Sequence, residues 1–400
     1  MAVSFALFLL AVALVIAYDT RDDAVVAAAP SSSEQTLSSS ISSNSSWSSS
    51  SVSTGSASAS ALVTPTKATA WMPVEKVRGV NLGSLFVLEP WMAETSWTDL
   101  GCSNYDSEWP CNQANGLSSM QSKWENHWNT FYNETDFQQM KRLGLNTVRV
   151  PLGYWTVDSL IGTDYFASGS MKYVKQVLGW AKAAGLYVIL DLHAAPGSQA
   201  ENEAFTGHGT LVSSFADANY ERAYECLANW TTLAHTDDDF STVVMIEVIN
   251  CHDDSASCLT IQFMDDWWGA GNSSTHINTS DHIAYDDHNY AQWIVSSSNQ
   301  TRAGYLSYLS DSYPVITGEW SLSTIGGGEL DPSSDGAQEF FQQFAAAQML
   351  NAEKGAGWVF WSWKTELDSA TWGYWDAVQA GYIPENLATL NTSVCDGYTS

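Results

Sequence analysis

Residues 243–251, VVMIEVINC, decide the fold. Val243–Ile249 is an apolar, largely β-branched run interrupted only by Glu247. It is too short for an ordinary helix and reads as a strand buried on both faces, the kind that parallel sheets use. The run stops at a polar residue, Asn250. In a barrel of parallel strands, that end is where chemistry sits.

Working outward, similar runs recur. Residues 77–82 (VRGVNL), 147–150 and 187–192 (YVILDL) precede it, and 259–263, 282–286, 314–318 and 358–361 follow. Helical patterns alternate with them. Residues 135–143 start on a capping Thr/Asp and stop at Gly144. Residues 171–184 place Tyr173, Val174, Val177, Leu178 and Ala181 on one face and end at Gly185. Residues 216–234 and 335–354 complete the set. Alternating β and α units with continuous apolar strands predict an α/β fold, a (β/α)8 TIM barrel. A doubly wound open sheet is the alternative, but residues 81–86, NLGSLF, are not the GxGxxG loop that often opens one.

The chain has 400 residues, 45% of them hydrophobic, enough for one barrel-sized domain. Its 44 acidic against 15 basic residues give a net charge of −29, which repels nucleic acid and anionic lipid. A neutral partner suits such a surface. The 19 Trp and 17 Tyr offer flat faces that pack on sugar rings, although aromatics also fill cores. Residues 1–17 carry an apolar run ending in a small residue and read as a signal peptide. An uncleaved anchor is the alternative. Residues 18–73, rich in Ser, Ala and Thr, read as a disordered linker. The barrel is expected over 74–400. Sequons at Asn44, Asn133, Asn229, Asn272, Asn278, Asn299 and Asn391 support secretion to the exterior or cell wall. In that oxidising setting the six cysteines are free to pair, with the connectivity open. Cys251, His252 and Cys258 match no standard zinc spacing.

Polar residues cluster where strands stop: Glu89, Arg149, His193, Asn250, His288, Tyr290, Glu319 and Trp363. Singly, each has a structural explanation. As a set they supply carboxylates, an aromatic platform and hydrogen-bond donors with no obvious metal cluster, which suits hydrolysis of a neutral polyol.

The stretches RGVNLGSLFVLEPWM (78–92), RLGLNTVRVPLGYW (142–155), DLHAAPGSQ (191–199), IEVIN (246–250), DDHNY (286–290), GEWSLS (318–323) and GWVFWSWKTE (357–366) resemble glycoside hydrolase family 5. The likeness is strongest to its secreted fungal exo-β-1,3-glucanases. It implies retaining hydrolysis of wall β-glucan with no metal and no cofactor. A monomer with no membrane span in the mature protein is expected. The likeness makes Glu319 the nucleophile, with His288 and Tyr290 around it and Arg149 hydrogen-bonded to it. Glu89, His193 and Asn250 become sugar-binding groups, and Trp363 the platform under the terminal glucose. A β-1,6-glucanase, an endo-acting relative and a non-catalytic glucan-binding or structural wall protein remain alternatives.

The pattern breaks at one place. The family has Asn-Glu-Pro where this chain has Asn250-Cys251-His252, so a thiol occupies the position of the proton donor. Glu247 lies four residues back, roughly 13 Å below the rim at about 3.3 Å per residue. Asp253, Asp254 and His252 are nearer, but nothing in the sequence aims them. Parallel neighbours need a crossover of at least about 10–12 residues, and Cys251–Cys258 is shorter. A truncated crossover is expected after the fourth strand. Either the sequence has lost a segment through a gene-model error or the deletion is real. The intact motifs on both sides favour the former.

Overall fold

The computed structural model describes residues 72–208, 216–247, 260–263, 283–295, 299–307, 315–325, 327–367 and 369–390. The expectations for residues 1–71, for Asn250 and Cys251, and for the crossover over 248–259 lie outside them.

Among the described residues, eight strands pair in chain order and close into a barrel. They are β1 (Val77–Asn81), β2 (Thr147–Gly153), β3 (Tyr187–Ala194), β4 (Val243–Glu247), β5 (Thr260–Phe263), β6 (Ile283–His288), β7 (Val315–Glu319) and β8 (Gly357–Phe360). Every pair is parallel, including β4–β5 and the closing pair β1–β8. The expected fold is the observed one. β2 runs past Pro151 to Gly153, where the sequence suggested a stop. Proline removes a donor but keeps an extended φ, so the strand continues.

Side chains alternate between the two faces of a strand, and both faces here are apolar for different reasons. Inside, Val77, Ile189, Met245, Ile316 and Val359 meet in a small cluster that plugs the barrel. Outside, Val80, Val148, Val150, Val188, Leu190, Ile246, Trp358 and Phe360 join the large core under the helices. One step of two residues above the inner plug lie Asp191, Glu247, Gly318 and Trp361, on the strands that carry Ile189, Met245, Ile316 and Val359. The plug therefore forms the floor of a polar layer.

The helix at Met171–Ala184 has the predicted bounds and buries the predicted face, ending on Gly185 in the left-handed conformation. The helix at Glu134–Arg142 starts one residue earlier than expected. Its cap is Asn133, whose side chain accepts from the Thr135 N–H while the Asp136 carboxylate accepts from the Asn133 N–H. Helices at Asp217–Thr236 and Ala337–Ala352 match their predicted positions to within about a turn. The long connection from β1 to β2 holds helices at Glu94–Leu100, Glu108–Asn115 and Leu117–Thr130, and a disulfide joins Cys102 to Cys111. Cys226 is buried and free, and burial pushes its thiol well up, so it is inert.

Candidate active site

Arg149 sits in β2 with its side chain inside the barrel and 1% exposed. A buried guanidinium needs compensation, and it has four carboxylates. Its Nε donates to Glu247 at 2.6 Å, one terminal nitrogen lies 3.0 Å from Asp191, and the other donates to Glu319 at 3.0 Å. Asp286 is 3.8 Å away, and the Asn81 side-chain oxygen accepts at 2.8 Å. These partners come from β1, β3, β4, β6 and β7, so the arginine is the centre of the polar layer.

Glu319, at the end of β7, is gripped from three directions. Besides Arg149, the Tyr290 hydroxyl donates at 2.8 Å and His288 Nδ1 lies at 3.3 Å. The other imidazole nitrogen of His288 faces Asp286 at 3.1 Å. Burial disfavours a charged imidazole, yet Glu319 and Asp286 outweigh it and raise the pKa of His288. His193 repeats the arrangement on β3. Its Nδ1 meets Asp191 at 2.7 Å, and Asp191 and Glu319 overcome burial to raise it as well.

The acids divide in the opposite sense. Burial first, then repulsion from Asp191 and Asp286, pushes Glu247 well up despite Arg149. Burial also works against Asp286, but His288, Arg149 and a hydrogen bond with Glu247 hold it below the usual range. Glu89, on the loop after β1, is pushed up to about 7, mainly by burial with Glu319 adding, against His193 and the Trp91 indole N–H that donates at 2.8 Å. Its backbone is held by Ser84, and the preceding Leu88 N–H donates to the buried Glu108 at 2.9 Å.

Glu247, Asp286 and His288 offer ligand atoms within 4.8 Å of one another. The guanidinium of Arg149 already takes the cation's place among them, so we do not read them as metal ligands.

Glu89, Arg149, His193, His288, Tyr290 and Glu319 therefore converge as expected. Trp363 does not. It is buried in the core under the helices, stacks near Tyr374 and donates from its indole to Asp136 at 3.0 Å. The tryptophan on the side of the polar layer is Trp361, which stacks on His193 with ring centroids 5.4 Å apart and packs with Met92 and Tyr290. Trp361 continues the alternation, two residues beyond the inward-facing Val359. Trp363 has the same parity but lies past the end of β8, where its backbone N–H donates to the Asn81 carbonyl of β1 and the alternation no longer holds. The sequence reading also passed over Asp191, Asp286 and Asn81, and weighed Glu247 only as a proton donor too far below the rim. The two-residue spacing of Asp191 from His193 and of Asp286 from His288 was the available signal. Next to Tyr290, Trp293 and Trp91 are 59% and 43% exposed and flank Trp372, which continues the aromatic surface out of the site.

The model of the cellulase family, glycosyl hydrolase family 5, matches residues 110–367. The chain belongs to this family. It is a glycoside hydrolase. Among curated relatives, the glucan endo-1,6-beta-glucosidase B of Emericella nidulans is 36% identical over 370 residues, covering 82% of this chain and 90% of that protein. A glucan 1,3-beta-glucosidase of Blumeria graminis is 30% identical over 381 residues, covering 78% and 88%. The crystal structure of rutinosidase from Aspergillus niger superposes with a TM-score of 0.64 at 16% identity, covering 78% of this chain and 98% of that one, a likeness of fold. No helix among the described residues is long and apolar enough to cross a membrane.

Proposed function

We propose that this chain is a retaining β-glucan hydrolase whose preferred linkage is β-1,6, acting on wall polysaccharide outside the cell. The observation that carries the reading is the threefold grip of Arg149, His288 and Tyr290 on Glu319. Glu319 attacks the anomeric carbon, and the glycosidic C–O bond breaks with its electron pair going to the leaving oxygen. That oxygen takes a proton from an acid, and water then releases the sugar from Glu319. His193 and Glu89 face the sugar hydroxyls and Trp361 lies under the ring. The linkage rests on the greater identity to the 1,6-acting relative than to the 1,3-acting one.

The acid is the weak point. By resemblance its position holds Cys251, a poor proton donor near neutral pH. General acid catalysis commonly contributes about 10²–10⁴-fold, so the chain as it stands hydrolyses polysaccharide slowly. Dinitrophenolate leaves a dinitrophenyl glucoside without protonation, so that substrate is turned over relatively better. A glucan-binding protein without catalysis is the second reading, and Cys251 is what favours it.

The test compares a linear β-1,6-glucan, a β-1,3-glucan and the dinitrophenyl glucoside. Turnover of the activated substrate that Glu319→Gln abolishes is expected, with β-1,6-glucan ahead of β-1,3-glucan. Glucan binding without any turnover would establish the second reading. Rapid polysaccharide hydrolysis would refute the impairment and point to another acid, first Glu89, which burial leaves protonated up to about pH 7.

A further inference from the structure

The β6–β7 ladder contains an irregularity at the residue before Glu319. Asp287 pairs with Thr317 and His288 with Glu319, so Gly318 has no partner in register. Such a bulge bends a strand and re-aims the side chain beside it. On β7 the inward parity belongs to Ile316 and Gly318. Regular alternation would send Glu319 outward to the helices. The extra residue turns its carboxylate in to Arg149, His288 and Tyr290.

Side chains satisfy both backbone groups that the bulge frees. The Gly318 N–H donates to Asp286 Oδ1 at 2.8 Å, and its carbonyl accepts from the Asn81 side-chain amide at 2.9 Å. Asp286 is wholly buried, and a Cβ on Gly318 would lie 2.0 Å from its Oδ1, so position 318 accepts only glycine beside this side chain. The second oxygen of Asp286 meets His288, whose other nitrogen meets Glu319.

We propose that Asp286 is a positioning residue for Glu319, holding its backbone through the Gly318 bulge and its carboxylate through His288. The proposal rests on the reading of Glu319 as the nucleophile. Arg149 and Glu247 also face Asp286, and Arg149 from β2 and Glu319 from β7 act on His288 besides Asp286.

The full chain is labelled with a dinitrophenyl 2-fluoroglucoside. Glu319 forms a bond to the anomeric carbon, and dinitrophenolate leaves with the bonding pair, so no acid is needed. Intact mass and phenolate release give the labelling rate and the affinity separately. A misplacement of about 1 Å costs on the order of 100-fold in rate. Asp286→Ala is expected to slow labelling by about that factor with affinity within about threefold. Asp286→Asn, which keeps an acceptor for Gly318 but loses the charge on His288, is expected to fall between and to move the alkaline limb of the labelling profile to lower pH. Labelling of Asp286→Ala at the wild-type rate, or a loss confined to affinity, overturns the proposal. If that variant does not fold, Asp286→Asn decides, and an unchanged rate together with an unchanged pH profile overturns it. Glu319→Gln serves as the control. Labelling that survives there refutes the nucleophile reading itself, independently of Asp286.

Discussion

Replacing Arg149 by methionine removes the guanidinium and keeps much of the aliphatic volume. Glu247, Asp191 and Glu319 then lose ion-pair partners at 2.6, 3.0 and 3.0 Å, all in a region where the arginine is 1% exposed. Removing one partner of a buried ion pair costs about 3–5 kcal/mol, because the remaining charge is left uncompensated. The structure places this variant within that range and not above it. Asp191 and Asp286 keep His193 and His288, and Glu247 is already pushed up toward its neutral form. The pH dependence has a definite sign. Without Arg149, Glu247, already pushed up by burial, loses the charge that opposes the rise and holds its proton further above the unfolded carboxylate range near about 4. Stability of the variant therefore falls as pH rises above that value, and its deficit from wild type grows between pH 5 and 8. Guanidinium unfolding followed by tryptophan fluorescence at both pH values measures it. A deficit under about 1 kcal/mol at pH 8, or one that shrinks as pH rises, would falsify the picture of Arg149 as the counter-charge of this layer.

Other outcomes follow from single sites. Glu108 is buried and pushed by burial from the ordinary 4.5 up to about 8, with the Leu88 N–H opposing. The folded state keeps its proton between those values, so Glu108 makes stability fall with rising pH in that window. Glu108→Gln should flatten the fall by roughly 1 kcal/mol per pH unit in thermal or denaturant melts, and an unchanged slope would show that the group ionises normally. Trp361→Ala should weaken glucan affinity, read by calorimetry. Trp363→Phe should leave affinity alone and lower stability by about 1–2 kcal/mol through the lost bond to Asp136, and the reverse pattern would return the platform to Trp363. Breaking the Cys102–Cys111 bond with paired serines should cost about 2–3 kcal/mol, as expected for closing so short a loop, and unchanged denaturation midpoints would contradict it.

The sequence by itself determined the barrel and most of the site. Apolar runs such as YVILDL and VVMIE have one stable use, as strands buried on both faces between helices. A parallel barrel brings all their C-terminal ends to one face. Residues far apart in the chain, Arg149, His193, His288 and Glu319, therefore had to meet once each was recognised at a strand end. The tertiary structure decided what depends on facing rather than order. Alternation is local, and the bulge at Gly318 resets it for Glu319, while the end of β8 sends Trp363 to the core and leaves Trp361 on the sugar side. Asp191, Glu247 and Asp286 looked like ordinary acids within strands. Only closure of the barrel around Arg149 makes them one charge-balanced layer, because buried charges are stable through partners that no single strand contains.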